Sequence, residues 1–191
     1  IDGQFAGYVI IADELKDDAV QAIARIKSAG INTLTMLSGD KDSITQKTAA
    51  DLHINAAKGG LLPEDKLHEV EQLKSQGTGK VAFVGDGIND APVLAASDVG
   101  IAMGTGADVA VESAGITLVK GDLTGIVRAR RLAEATMRNI RQNLFFAFVY
   151  NSAGVPIAAG ILYPFLGVLL SPIFAAAAMS LSSVSVIGNA L

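Results

Sequence analysis

The sequence contains no cysteine and no tryptophan. The first absence rules out a disulfide framework and leaves the chain with no thiolate to offer a metal. Aromatic residues are sparse, at 5% of the chain, although half of all residues are hydrophobic. Charge is missing altogether from one region: residues 143–191 include no Asp, Glu, Lys, Arg or His. The start, Ile1-Asp2-Gly3, has neither the basic, apolar and cleavage regions of a secretory signal nor an initiator Met. The chain is therefore expected to begin partway through a longer protein. No repeat interrupts it, and the only low-complexity tract is the alanine run at 175–178.

The charge that is present is graded along the chain. Residues 1–127 carry 10 basic and 18 acidic side chains, a net of −8, whereas residues 128–141 carry five arginines against Glu134 alone, a net of +4. An acidic body, a basic collar and an uncharged tail predict a cytoplasmic domain, a membrane-surface segment and a membrane insert. The corresponding division is 1–125, a basic amphipathic linking helix over 126–142, and 143–191. Leu144–Leu166 and Leu169–Leu191 are each 23 residues, close to the ~20 needed to cross a bilayer. They are expected to form a transmembrane helical hairpin, with the collar on the cytoplasmic side. That implies a multi-pass protein of the cell membrane whose soluble part is cytoplasmic. A buried hairpin in a soluble protein is the alternative. Between Ile126 and Ala153 there is no Gly or Pro, so one helix of roughly 40 Å can run from the domain into the insert. Gly154 and Pro156 then disturb it.

In the acidic body, apolar runs alternate with helical patterns. Tyr8–Ala12 and Asn32–Leu37 read as strands. Asp17–Ala29 reads as a helix with Val20, Ile23, Ala24 and Lys27 at helical spacing and Gly30 as its stop. Lys41–Leu52 is a second helix, and Pro63 opens a third that runs to about Gln76. Lys80–Val84 is the next strand, broken by Gly85-Asp86-Gly87. The alternation predicts an α/β fold, a parallel sheet with helices on its faces. Chemistry in such sheets gathers where strands end. Ser38-Gly39-Asp40 and Gly85 to Pro92 fall at those ends.

Gly85-Asp86-Gly87-Ile88-Asn89-Asp90-Ala91-Pro92 places two carboxylates on one tight turn. Unaccompanied, they would repel and raise one another's pKa. A Mg²⁺ ion removes the conflict and prefers such hard oxygen ligands. A turn whose aspartates merely cap a helix is the simpler reading of any isolated Asp-Gly. Lys66, in Leu62-Pro63-Glu64-Asp65-Lys66, is by itself a solvated helix lysine.

Together these residues resemble the P-type ATPases of the haloacid-dehalogenase-like superfamily. The octet from Gly85 is similar to their hinge signature, and Ser38-Gly39-Asp40 to their second motif, with Ser where Thr is usual. Lys66 is similar to the lysine that neutralises an aspartyl phosphate. The resemblance implies that Ser38, Gly39 and Asp40 hold phosphoryl oxygens. It makes Asp86 a direct Mg²⁺ ligand, with Asp90 and Asn89 completing the ion and phosphate surroundings. Catalysis of this kind is mostly positioning and charge neutralisation. The family's nucleophilic Asp-Lys-Thr-Gly-Thr motif is absent, as are the nucleotide and actuator domains. The chain alone is therefore expected to be inactive, with ATP bound by parts outside it. A membrane-anchored haloacid-dehalogenase-like phosphatase, or a non-catalytic regulatory fragment of a pump, are the other readings. The phosphatase would need a nucleophile near Asp13, which lacks the motif's context.

Polar residues in the uncharged region need a reason. Tyr150 and Asn151 lie in the first candidate span, and Met179 and Ser183, four apart and so on one helix face, in the second. Helix packing accounts for serines and asparagines in such places. A thioether is a soft ligand, which favours Cu(I) over Zn²⁺ or Mg²⁺. Tyr-Asn followed by Met-x-x-Ser-Ser resembles the copper(I)-transporting subclass, as do Asn143–Phe148 and Gly154–Ala159. Zinc and cadmium pumps carry a Lys and an Asp in these spans instead. The resemblance implies Cu(I) as the transported ion and Tyr150, Asn151, Met179 and Ser183 as contributors to its site. The expected partners are the rest of the pump polypeptide (actuator and nucleotide domains, earlier membrane helices), the lipid bilayer and a copper chaperone, with no nucleic acid.

Overall fold

The computed structural model describes residues 15–31, 33–77, 79–104, 107–161, 163–167 and 172–190. In chain order they form α1 (Ala19–Ser28), β1 (Thr35–Leu37), α2 (Asp42–Asp51), β2 (Ala56–Lys58), α3 (Pro63–Ser75) and β3 (Ala82–Gly85). A 3-10 turn (Ile88–Asp90) leads into α4 (Ala91–Ala96), β4 (Val99–Met103), α5 (Asp108–Ser113) and β5 (Ile116–Leu118). α6 (Thr124–Ala158), α7 (Tyr163–Leu166) and α8 (Pro172–Ala190) follow. The chain divides into two units, residues 1–128 and 129–191.

In the first unit every strand pairing is parallel. β1 pairs with β2, and β4 lies between β3 and β5. Parallel neighbours need a crossover, and α2, α4 and α5 supply one for each pair. β4 is the most enclosed strand, with Gly100, Ile101 and Ala102 all buried. Its alternation decides what covers the sheet, because successive side chains point to opposite faces. Ile101 packs with Ile23 and Ile26 of α1, with Leu52 and Leu118, and with Ile126 and Val127 of α6. Ala102 packs with Leu94 of α4 and Ala110 of α5. Helices therefore lie on both faces, as the α/β reading requires. The expected first strand, Tyr8–Ala12, lies outside the described residues.

Two expectations are corrected in α1 and α6. The buried stripe of α1 is Ala22, Ile23 and Ile26, so of the residues chosen from spacing Ile23 faces inward, while Val20, 42% exposed, and Ala24 do not. The first candidate span, expected to reach Leu166, ends as helix at Ala158. Pro156 is carried inside α6. The stop is Gly160, whose φ of 86° is the left-handed region that only Gly enters freely. Gly160 N–H donates to Ile157 O at 3.0 Å and Ile161 N–H to Pro156 O at 3.1 Å, the paired bonds of a Schellman cap. The uncharged part of α6 is thus residues 143–158, with Asn143, Tyr150 and Asn151 among them. That is roughly 24 Å of helix at 1.5 Å per residue, short of a ~30 Å hydrocarbon core. Among the described residues, no helix is long and apolar enough to cross a membrane, so the expected two-helix transmembrane hairpin is not supported by the fold.

In the second unit α6 and α8 are joined by polar contacts. Tyr150 Oη lies 3.4 Å from Ser185 Oγ, and Asn139, Asn143 and Asn189 share four hydrogen bonds. Much apolar surface stays open, including Phe145 and Phe148 at 63% and Phe165 at 84%.

Candidate phosphoryl-transfer site

The site grows from the ends of β1 and β3. At the end of β1, Ser38 N–H donates to Lys58 O at 3.0 Å, continuing the pairing with β2. Ser38 Oγ accepts from Asp40 N–H at 3.1 Å and donates to Asp40 Oδ2 at 2.9 Å. This small Ser turn folds the motif back on itself. Segment 59–61 braces it from outside. Leu61 N–H donates to Ser38 O at 3.0 Å, and Gly59 N–H to Asp42 Oδ1 at 2.9 Å.

The next residue, Leu62, opens α3. Its N–H donates to Asp65 Oδ2 at 2.9 Å, which satisfies one of the orphan donors of the first turn. With Pro63 inside that turn, the helix start is fixed. Lys66 therefore sits one turn into α3 at a defined place. Its Nζ lies 2.9 Å from Asp90 Oδ1, with the two side chains only 17% and 11% exposed.

Asp90 closes the turn after β3. Its second oxygen, Oδ2, accepts from Gly87 N–H at 3.4 Å. Gly85 is obligatory behind it: a Cβ there would stand 2.7 Å from Asp90 Cβ and 2.9 Å from its Oδ2. Asp86 and Asn89 are exposed, and Asp86 O accepts from Ala107 N–H at 2.9 Å. Farther down, Asp98 Oδ2 accepts from Val81 N–H at 3.0 Å, and Lys80 Nζ reaches Asp98 Oδ1 at 3.1 Å. These two contacts hold the Asp98 carboxyl below the usual aspartate range.

Among the described residues, no group of three or more His, Cys, Asp and Glu is placed to hold a metal. The turn offers two carboxylates, of which Asp86 is open and Asp90 is engaged by Lys66 and Gly87. Such a donor set suits Mg²⁺, which takes one or two carboxylates and fills its other positions with phosphate oxygens and water.

The model of haloacid dehalogenase-like hydrolases matches residues 1–98. The chain belongs to that family. Over 190 residues it is 62% identical to a copper-transporting P-type ATPase of Rhizobium leguminosarum bv. viciae, covering 100% of this chain and 22% of that protein. It is 56% identical to a silver-exporting P-type ATPase of Salmonella typhimurium, again over 100% of this chain and 23% of the relative. Among solved structures, a zinc-transporting PIB-type ATPase in the E2.Pi state matches with a TM-score of 0.80 at 37% identity. That match covers 94% of this chain and 28% of the other. The chain thus spans about a quarter of the length of the relatives it matches.

The transport candidates stand apart from this haloacid-dehalogenase-like site along the chain. Asn151 Nδ2 donates to Ala147 O of its own helix at 2.7 Å, which leaves Oδ1 as its remaining acceptor. Tyr150 pairs with Ser185, a residue the spacing argument had not selected. Ser183 lies two residues earlier in α8, and Met179 belongs to the same helix.

Sequence reasoning also passed over the brace around Ser38. Asp42, Gly59 and Leu61 hold the motif in place, and Gln46 Nε2 adds a bond to Ala57 O at 2.7 Å. The Gly59-Gly60 pair, close to Lys66, was the available signal, since paired glycines mark a turn.

Proposed function

We propose that this chain is part of an ATP-driven copper(I) export pump, carrying the phosphate- and Mg²⁺-binding shell of its phosphorylation site and part of its membrane ion site. The observation that supports it best is the Lys66–Asp90 pair beside the open Asp86 at the end of β3. An ammonium has three donors. One is taken by Asp90, and two remain for phosphoryl oxygens delivered against the strand end. Asp90, held on both oxygens, is a positioning group that fixes where the lysine charge sits. Ser38 contributes a hydroxyl and the following amides, once its proton is turned from Asp40 to the incoming phosphoryl group. Mg²⁺, held by Asp86 with Asp90 behind it, would neutralise charge on the transferring group. The nucleophile and the nucleotide pocket belong to the rest of the polypeptide.

Residues 143–191 are read as the membrane-embedded part, with the first helical segment interrupted after Ala158. The lack of any charge over this stretch and its exposed Phe145, Phe148 and Phe165 support that reading. Copper(I) or silver(I) fits the soft thioether of Met179 and the absence of a membrane carboxylate. The relatives named for copper and silver transport agree. The deciding measurement is phosphoenzyme formation from ATP in the complete pump carrying Asp86→Asn. We expect it to be abolished. Wild-type levels with ordinary Mg²⁺ dependence would remove Asp86 from the site.

A further inference from the structure

Asn139, Asn143 and Asn189 have no part in the chemistry above, yet they form a network of four hydrogen bonds among the described residues of the second unit. Asn139 and Asn143 are four apart on α6, so they share a face. Asn143 Nδ2 donates to Asn139 Oδ1 at 2.8 Å. From α8, Asn189 Nδ2 donates to Asn143 Oδ1 at 2.9 Å and to Asn139 Oδ1 at 3.4 Å. Asn139 Nδ2 returns a bond to the backbone carbonyl of Asn189 at 2.8 Å. That carbonyl lies in the last described turn of α8. A side chain of α6 thus bonds the backbone of α8. All three asparagines are half-buried.

We propose that this asparagine clasp is a positioning device: it sets the register of α8 against α6 and so places the residues of the transport site. The inference rests on the pump reading given above. Its physical basis is that the amides satisfy one another at one register only. Sliding α8 by one residue moves Asn189 about 1.5 Å along the axis and turns it by about 100°, which breaks every inter-helix bond of the set. A single polar residue in a helix seam fixes register in the same way in coiled coils. The second attachment agrees with the first. Tyr150 is two turns along α6 from Asn143, and its partner Ser185 is one turn back along α8 from Asn189. Asn151 directly follows Tyr150 in sequence, and Ser183 lies two residues before Ser185.

The test has two arms. In the first, the 191-residue chain, which has no cysteine of its own, is spin-labelled at Met137→Cys and Ile187→Cys in lipid nanodiscs. Both positions are exposed. With the clasp intact the α6–α8 distance distribution should be narrow. Asn189→Leu should broaden it or shift it by a step of about 1.5–5 Å, one residue to one turn. In the second arm the complete pump is assayed for ATPase activity against copper(I). Asn189→Leu should raise the copper concentration for half-maximal activity at least ten-fold, with kcat and phosphorylation by inorganic phosphate nearly kept. Unchanged distances would overturn the register claim. Changed distances with unchanged copper dependence would overturn its role in positioning the ion site. A wild-type pump that copper does not stimulate would instead overturn the pump reading, while the distance arm still decides the clasp. Should Asn189→Leu fail to accumulate, Asn143→Ala, which removes one acceptor and one donor of the clasp, carries both comparisons.

Discussion

Lys66 and Asp90 are 24 residues apart in sequence and 2.9 Å apart in space. Their pair is enclosed enough that removing one partner strands the other. Lys66→Met should therefore destabilise the chain by about 1–3 kcal/mol, the cost of leaving a mostly buried polar group unsatisfied. Adding Asp90→Asn to that variant removes the stranded charge and should restore part of the loss. Phosphoenzyme formation in the complete pump should not return, because the ammonium is still missing. Denaturant midpoints and phosphoenzyme levels of the single and double variants check both statements. Recovery of activity in the double variant would make the pair structural only. The sequence made both residues visible through their neighbours, Leu62–Asp65 and Gly85–Pro92. It did not reveal that Asp90 is the buried one and Asp86 the open one. That difference comes from the turn at Ile88–Asp90 and from the missing Cβ of Gly85, both features of the backbone.

At the scale of elements, the longer helices and the apolar runs of β1 and β3 were legible, and several other short elements were not. α2 and α3 lie within a residue of where their patterns and Pro63 put them. β2, β5, α4 and α5 have between 3 and 6 residues, too few to display a period. The reach of the first uncharged helix was misread for a related reason: hydropathy measures the total and is blind to a stop such as Gly160. A testable consequence at this scale concerns β3, whose entry is gripped by Asp98 through Val81 N–H and Lys80. The Asp98 pKa in the folded chain lies below its ordinary value of 3.8. The folded state therefore binds that proton less readily than the unfolded chain. The resulting stability is present above the unfolded pKa and is lost as pH falls through the folded one. Asp98→Asn should lower the denaturant midpoint by a constant amount at neutral pH, with the gap to wild type closing below about pH 4. A gap that persists unchanged into acid would assign the loss to altered hydrogen bonding alone.

At the scale of the whole molecule, architecture and ion choice separate. A zinc-transporting ATPase shares this fold over 94% of the chain, so the backbone alone does not select a metal. On the pump reading, the side-chain chemistry that this chain offers for that choice lies in residues 143–191, where no carboxylate is available to balance a divalent charge. Met179 carries the soft donor there. In the complete pump, Met179→Leu removes the thioether while nearly conserving volume, and such swaps cost less than about 1.5 kcal/mol of packing. Folded yield and membrane insertion should therefore match wild type while copper-stimulated ATPase activity and copper stoichiometry fall sharply. A methionine that only packs would behave in the opposite way. It would tolerate Leu with full activity, and Met179→Ala would then harm stability through the cavity it leaves, at about 2–5 kcal/mol if the site is enclosed. The two variants measured side by side at matched folded amounts distinguish a ligand from a spacer. Full copper binding in Met179→Leu would move the choice of ion to residues elsewhere in the pump.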